Sequence, residues 1–439
     1  AWGAWRCQYV GGGVCGCGGF CDCDFKRYEG FESREGIRRL KIRNLKTGRF
    51  HLVWLFFLGA LLTALSVSGD CAKAKELPEG SLPGQVNEEE IMQEVENILR
   101  NMTLEEKVYQ LFIITPEALT GNKAVGAAGE TTRKGLEKYP VGGLVYFSKN
   151  LKNPAQTKKM LQKTMEFSYE IEGMPLFICI DEEGGRVARV GNNPAFGVPK
   201  VGAMEKITNE EEAYAVGETI GAYLSQLGFN FDFAPDADVL TNQDNTVIGD
   251  RSFGRDPEAV TQMAAAVSDG LHSQGVLSTF KHFPGHGATR EDTHEGFAYT
   301  EKTYEELLKC ELKPFMAAGE KGIDAVMAAH IFVPSITGDE IPCSLSEKML
   351  TDILREDLGF EGLIITDALN MGAITKKYSS AQAAVMAFEA GADMLLMPQD
   401  FVQAAEGILF AVQKGEISEE RVDASLRRII KAKLMWKGH

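Results

Sequence analysis

The sequence predicts an α/β fold, and more narrowly a single (β/α)8 barrel of the TIM type preceded by a signal segment and a linker. Short apolar runs alternate with amphipathic helical stretches eight times over about 340 residues, which is the repeat of such a barrel. A doubly wound open sheet is the alternative, but no glycine-rich phosphate loop follows the first apolar run. Polar residues also recur at the ends of the apolar runs, where barrels of this type hold their functional groups.

Eight apolar runs have the length and composition of buried strands. In chain order they are Gln110–Ile114, Gly143–Phe147, Leu176–Asp181, Phe229–Ala234, Leu277–Phe283, Ala325–His330, Leu363–Asp367 and Asp393–Met397. The stretches predicted as helices include Glu88–Asn101, Pro154–Tyr169, Glu210–Leu227, Pro257–Gln274, Tyr304–Gly319, Ala381–Glu389 and Ser418–Met435. Thr103 and Glu106 match a capping box, which predicts that one more helix begins there.

Composition and charge exclude some classes of partner. The chain has 439 residues, of which 44% are hydrophobic and 25% are charged, as in ordinary globular proteins. Its formal net charge is −16. Residues 1–69 hold ten Lys/Arg and five Asp/Glu, about +5, so the remainder carries about −21. An acidic body argues against a nucleic-acid partner and leaves a neutral substrate open.

The composition divides the chain into four segments. We interpret residues 1–39 as non-native upstream sequence, 40–70 as a signal peptide, 71–87 as a linker and 88–439 as the barrel domain. The first segment holds five of the nine cysteines, so a metal knuckle or disulfide knot is the alternative there, although its C-x-C spacing differs from the C-x-x-C of zinc sites.

The second segment joins a basic stretch to the apolar run Leu52–Val67 and then to small residues, which is the pattern of a secretory signal. A membrane anchor is the alternative, but the run is short for one. Cys71 follows directly and indicates a lipid anchor as a further alternative. We therefore expect a secreted or cell-surface location, without stable membrane insertion of the mature barrel.

The segment KHFPGHGATREDTH, residues 281–294, holds three of the seven histidines and follows a predicted buried strand. Its glycines and proline predict a loop. Titratable groups at the end of a buried strand are unfavourable as structure and common in catalysis. Within the loop, the carboxylate of Asp292 can hydrogen-bond one nitrogen of His294 and leave the other for proton transfer. A solvated loop is the alternative interpretation of this pair.

Other predicted strands also end in polar residues: Asp181, Asp236, Lys281 with His282, His330 and Asp367. A carboxylate such as Asp367 at a strand end is either a helix cap or a reacting group. The polar residues at the ends of the other predicted strands favour a reacting group. Arg251, Lys281 and Asp181 suit a neutral polyhydroxylated ligand, because charged groups form fork-like hydrogen bonds to vicinal hydroxyls. A phosphate ligand is the competing interpretation of the Lys and Arg.

A metal site is not predicted. His282, His286 and His294 with Asp292 have the side chains to ligate zinc. They lack the H-x-x-x-H spacing of helical zinc sites, and Pro284–Gly285 prevents a helix. No cofactor is expected.

Four segments in order, DEEGGRVAR, DRSFG, KHFPGHG followed by D-x-H, and ITDALNMGAI, resemble glycoside hydrolase family 3 and, within it, the β-N-acetylglucosaminidase branch. The resemblance covers roughly residues 88–437 and makes residues 88–439 a catalytic domain. It implies that Asp367 is the nucleophile, that His294 is the acid/base and that Asp292 orients it. It further implies sugar binding by Asp181, Arg251, Lys281 and His282, with structural roles near the site for His286 and Arg189.

The function that the resemblance implies is a retaining exo-β-N-acetylglucosaminidase acting on peptidoglycan fragments or related glycans. A phosphorylase is an alternative, because a neutral histidine base tolerates an incoming phosphate dianion. A β-glucosidase or β-xylosidase of the same family is another, against which the D-x-H pair argues. A non-catalytic sugar-binding protein would have no use for a strand-end nucleophile beside a proton shuttle.

Overall fold

The computed structural model describes residues 88–289, 298–338 and 340–436, which lie in one compact unit, Ser81–His439. The predicted upstream sequence, signal peptide and linker, with Cys71, lie outside the described residues and stay predictions. Among the helices described, none combines the length and the apolar character that crossing a bilayer requires.

The described residues form ten short strands. These are β1 Phe112–Ile114, β2 Gly143–Val145, β3 Phe177–Ile180, β4 Glu182–Gly184, β5 Val187–Ala188, β6 Phe231–Asp232, β7 Thr279–Phe283, β8 Ala325–Ala328, β9 Leu363–Thr366 and β10 Leu395–Leu396. One parallel sheet has the order β10-β1-β2-β3-β6 and a second has the order β7-β8-β9. Strands β4 and β5 form an antiparallel hairpin after β3. Single parallel bridges, Phe231↔Leu277 and Ile365↔Met394, run between edges of the two parallel sheets.

Helices connect successive strands. They are α1 Glu88–Asn101, α2 Leu104–Gln110, α3 Pro116–Thr120, α4 Glu130–Lys138, α5 Pro154–Glu172, α6 Glu210–Leu227, α7 Pro257–His272, α8 Tyr304–Lys309, α9 Lys313–Glu320, α10 Pro334–Thr337, α11 Gly372–Thr375, α12 Ser380–Ala390, α13 Phe401–Lys414 and α14 Glu419–Trp436. A π-helical segment, Lys348–Asp357, precedes β9.

The predicted α/β fold is confirmed, and each of the eight predicted strands contains a strand of the parallel sheets. The prediction of one helix over Tyr304–Gly319 was wrong, because the chain forms α8 and α9 with a break between them. Pro314 explains the break: it lacks an N–H and restricts the preceding residue, so it lies in the first turn of a new helix.

The helix ends follow from local sequence. Asn153 accepts a hydrogen bond from the backbone of Gln156 at the start of α5, and Pro154 occupies its first turn. The predicted capping box is confirmed at the start of α2, where Thr103 and Glu106 each bond the other's backbone.

The apolar core lies on the strands, whose residues are buried along nearly their whole length. Phe231 packs edge-to-face against Phe177 at 5.1 Å and against Phe233 at 5.6 Å between ring centroids. Because both faces of these parallel strands are covered, most of the strands are continuous apolar runs without alternation. The exceptions with acidic or basic side chains are Asp232, the last residue of β6, and Lys281 with His282 within β7, with the consequences described below.

Helices α6 and α7 pack closely through glycine. A Cβ built on Gly270 would lie 2.3 Å from the carbonyl oxygen of Tyr214 and 2.5 Å from the backbone nitrogen of Glu218. Both contacts are with backbone, which cannot rotate away. The two helices therefore reach this separation only without a side chain at Gly270.

We expect Gly270→Ala to lower the free energy of unfolding by at least about 1–3 kcal/mol, because overpacking outweighs the roughly 1 kcal/mol that alanine gains in a helix. Urea unfolding checks this. Gly202→Ala is the control, since a Cβ there has no atom within 4 Å. Equal stability of the two variants would contradict the packing argument.

Candidate active site

The carboxyl ends of β3, β6 and β7 place acidic and basic side chains in one network. Asp181 follows β3, Asp236 lies beyond β6, and Lys281 is within β7. The Lys281 ammonium lies 3.2 Å from Asp181, and the backbone of Asp236 pairs with that of Lys281. Since parallel strands end at the same edge, the predicted convergence of these residues is found in the structure.

Glu183 is the centre of this network. Its carboxylate accepts two hydrogen bonds from Arg251, at 2.8 and 2.9 Å, and lies 2.6 Å from the Lys281 ammonium. Burial raises the pKa of Glu183, but the charges of Arg251 and Lys281 outweigh burial and hold the pKa well below its ordinary range. Glu183 was not among the predicted site residues. The run of three acidic residues in DEEGGR was the signal that could have revealed it.

Arg251 also approaches a second buried carboxylate, Asp236, at 3.2 Å. Burial, and then the neighbouring charge of Asp238, raise the pKa of Asp236 to about 7. Arg251 opposes this shift but directs its paired N–H groups at Glu183. The Asp236 carboxyl group therefore changes charge near neutral pH.

His282 connects Arg251 to another buried acidic residue, Asp238. Its Nδ1 lies 2.7 Å from Asp238 and its Nε2 lies 3.3 Å from Arg251. Burial, and then the Arg251 charge, lower the pKa of His282 to about 4, so the ring is neutral at pH 7. The bonding pattern then assigns the hydrogen to Nδ1, which donates to Asp238, and leaves Nε2 to accept from Arg251. Both ring nitrogens thus have partners within the chain.

Asp238 fixes the PGHG turn. Its Oδ1 accepts a hydrogen bond from the His286 backbone at 2.5 Å, and its Oδ2 accepts from the His282 backbone at 3.2 Å. His286 is buried, and its Nδ1 lies 2.9 Å from the hydroxyl of Thr289. These contacts support the predicted bracing role of His286. The sequence Asp236-Ala-Asp238 after a buried strand was the unused signal for this anchor.

Asp236, Asp238 and His282 offer ligand atoms within 4.8 Å of one another, a set that could hold a metal ion. The guanidinium of Arg251 already lies within 3.3 Å of both Asp236 and His282. A divalent cation would have to displace this fixed positive charge. The donor set therefore fits a metal poorly, and the expectation of no metal stays a prediction.

The hairpin β4–β5 carries Arg189 to the site. Glu182 holds the base of the hairpin. It is fully buried and accepts hydrogen bonds from the backbone N–H groups of residues 189–191 and from the hydroxyl of Tyr223. Arg189 donates to Asp181 at 3.2 Å. Its Nε is buried without a hydrogen-bond partner among the described residues. A buried donor that lacks a partner is a group that a ligand hydroxyl can satisfy.

Asp367 lies directly beyond β9. Its backbone N–H donates to the carbonyl of Ala328 at 2.8 Å, and its Oδ1 accepts from the N–H of Ala368 at 2.7 Å. Its negative charge is close enough to raise the pKa of His282 and His286 against their net downward shifts. The carboxylate is therefore in the electrostatic neighbourhood of the network. Asp292 and His294 lie outside the described residues, so their assigned roles stay predictions.

The family model of the glycosyl hydrolase family 3 N-terminal domain matches residues 103–432. The chain belongs to glycosyl hydrolase family 3. The family suggested by the sequence motifs is thereby confirmed.

Named relatives in this family are β-hexosaminidases. The chain is 32% identical to β-hexosaminidase A of Pseudoalteromonas piscicida over 68% of this chain and 54% of that protein. It is 35% identical to a β-hexosaminidase of Nitrosomonas eutropha over 65% of this chain and 81% of the relative. A solved family 3 β-N-acetylglucosaminidase from Paenibacillus sp. superposes with a TM-score of 0.72 at 37% identity, covering 77% of this chain and 63% of the other. The chain thus spans about half the length of the first of these relatives.

We expect Glu183→Gln to lower the free energy of unfolding by about 3–5 kcal/mol, because Arg251 and Lys281 would stay buried without their shared counter-charge. Thermal and urea unfolding measure the loss. Asp250→Asn is the matched control: its pair with Arg186 at 3.1 Å is exposed and should cost under about 1 kcal/mol. Similar losses in the two variants would contradict the central role of Glu183.

Asp236→Asn should gain stability relative to the wild type as the pH rises from about 4 to 7. The unfolded carboxyl releases its proton near pH 4, whereas the folded carboxyl keeps it until about 7, so this group's contribution to stability falls between these values. Free energies of unfolding at several pH values measure the difference, which should change by at least about 1 kcal/mol. If the free energy of unfolding of Asp236→Asn minus that of the wild type stays constant or falls across this range, the pKa of Asp236 is not raised.

Proposed function

We propose that the chain is a retaining exo-β-N-acetylglucosaminidase that removes terminal β-linked N-acetylglucosamine from glycans. The observation that carries the proposal is the placement of Asp367 at a strand end, with its backbone anchored and its charge felt by the buried polar network. Carboxylates so placed are the usual nucleophiles of retaining glycosidases. The named β-hexosaminidase relatives support the choice of sugar.

In this proposal the polar network binds the sugar hydroxyls. Asp181 is an acceptor, and Lys281 and the unsatisfied Nε of Arg189 are donors. Arg251 and His282 are largely engaged with each other and with buried acids. They contribute by holding the other residues in place. The cations are neutralised by carboxylates of the chain, which suits an uncharged sugar better than a phosphate.

The proposed reaction has two displacements. An oxygen of Asp367 bonds to the anomeric carbon while the glycosidic C–O bond breaks, and His294 gives its proton to the leaving oxygen. The neutral His294 then takes a proton from water, whose oxygen bonds to the anomeric carbon and releases Asp367. Asp292 orients the imidazole and favours its protonated form. These two residues are assigned from their sequence motif.

We also propose that residues 88–439 form a closed (β/α)8 barrel. Support comes from the single bridges Phe231↔Leu277 and Ile365↔Met394, which pair β6 with the segment before β7 and β9 with the segment before β10. The sheet orders β10-β1-β2-β3-β6 and β7-β8-β9 both follow the chain, and bridges between their edges are what a closed ring of eight strands requires. A secreted or cell-surface location and peptidoglycan fragments as the natural substrate are proposed on the motifs alone.

Hydrolysis of p-nitrophenyl N-acetyl-β-glucosaminide by the full chain tests the function. Asp367→Ala should lower kcat by at least about 10³-fold, and His294→Ala by about 10²–10⁴-fold. Asp352→Ala, at a surface ion pair with Lys348, should match the wild type. Proton NMR should show the β-anomer as the first product.

Three outcomes would redirect the proposal. An α-anomer as first product would contradict the retaining mechanism. A strong rise in rate with added phosphate, together with a sugar phosphate product, would make the protein a phosphorylase. Activity on a β-glucoside but not on the N-acetylglucosaminide would leave the family standing and change the sugar. Release of N-acetylglucosamine from muropeptides, compared with chitobiose, tests the natural glycan.

A further inference from the structure

His330 lies two residues beyond β8, within the core, and its side chain is fully buried. Its Nε2 lies 3.0 Å from the carbonyl oxygen of Ala368, and its Nδ1 lies 2.6 Å from the hydroxyl of Ser344. Ser344 is also fully buried, and its backbone N–H donates to the carbonyl of Ala329 at 3.1 Å. The imidazole thus bridges two segments that are fixed at the carboxyl end of β8.

The bonding partners define the form of the ring. A carbonyl oxygen can only accept a hydrogen bond, so Nε2 carries the hydrogen that it donates to Ala368. In the neutral ring Nδ1 is then an acceptor, and it accepts from the Ser344 hydroxyl. One neutral tautomer therefore satisfies both contacts: the Ala368 carbonyl selects that tautomer, and the Ser344 hydroxyl holds the orientation of the ring.

Ala368 is held from both sides by this arrangement. Its N–H donates to Oδ1 of Asp367 at 2.7 Å, while its carbonyl accepts from His330. The next residue, Leu369, donates its N–H to the carbonyl of Leu396 at 2.8 Å. The Ala368 carbonyl also accepts from the N–H of Met371 at 3.0 Å, so loss of the His330 contact would remove one of its two donors and loosen the peptide that follows the Asp367 carboxylate.

We propose that His330 is a positioning residue for the Asp367 carboxylate. It acts through Ala368, and Ser344 holds its ring in the required orientation. The proposal rests on the proposed function, in which Asp367 is the nucleophile. A nucleophile must meet the anomeric carbon within narrow limits of distance and angle, so a rotated carboxylate reacts slowly while the sugar still binds.

The test measures covalent trapping of Asp367 separately from sugar binding. The full chain is treated with a 5-fluoro N-acetylglucosaminyl fluoride, which forms a slowly hydrolysed bond to the nucleophile, and the rate is followed by intact mass. Binding of free N-acetylglucosamine is measured by calorimetry. The variants are His330→Leu, His330→Gln and Ser344→Ala, with His272→Leu as control. The control removes another partly buried histidine contact, to Asp324 at 2.6 Å, at the end of α7.

His330→Leu should lower the trapping rate about 10²-fold, as for other misplaced reacting groups, while the Kd for N-acetylglucosamine changes less than about threefold. His330→Gln, whose amide can donate near the Nε2 position, should recover at least tenfold of that loss. Ser344→Ala should give a smaller loss, about three- to tenfold. The control should trap at the wild-type rate.

Trapping by His330→Leu at the wild-type rate would overturn the proposal, and so would a parallel loss of trapping and sugar binding. If His330→Leu does not fold, Ser344→Ala and His330→Gln decide, since the proposal requires both to trap more slowly than the control. Failure of the proposed function has a different signature. In that case the wild type is not trapped, or is trapped on a residue other than Asp367, and the inference falls with it.

Discussion

Two buried cations that share one buried carboxylate hold the functional end of this protein together. Glu183 lies in β4, Arg251 in the short helical turn Gly249–Arg251 and Lys281 in β7. Each charge alone would cost several kcal/mol to remove from water, so the three groups are stable there only as a set. Folding of the strand ends and assembly of the site are therefore one event. The arrangement also leaves the cations neutralised by groups of the chain itself, which suits an uncharged ligand.

The sequence predicted the fold through its apolar runs, because parallel strands buried on both faces carry few polar residues to obscure the pattern. The boundaries were less predictable, since tertiary hydrogen bonds decide where a strand stops. Phe229–Ala234 was predicted, and only Phe231–Asp232 forms a strand. The hairpin β4–β5 was not predicted, because its strands are only three and two residues long and contain Glu182, Glu183, Gly184 and Ala188, which are rare in strands. Their pairing depends on the buried acid Glu182 and not on β-propensity.

The site was predictable where one rule applied, that parallel strands end together. That rule brought together Asp181, Lys281 and His282, and the structure places them in one network. The buried counter-ions Glu183 and Asp238 lie two residues beyond Asp181 and Asp236, which the rule did select, but their pairing partners are visible only when the loops are folded. His330 was predicted as a strand-end residue. Its partner is the backbone carbonyl of Ala368, and every residue has such a carbonyl, so the sequence does not reveal this contact.

The carboxyl group of Asp236 has a pKa of about 7, so it gains or loses a full charge within the range of acidity that living surroundings span. A neutral ligand at the strand ends would experience little change when this happens, whereas a ligand with its own carboxylate would meet a more repulsive field once Asp236 has ionised. The electrostatic field at the strand ends thus depends on the surrounding acidity, with no movement of the backbone.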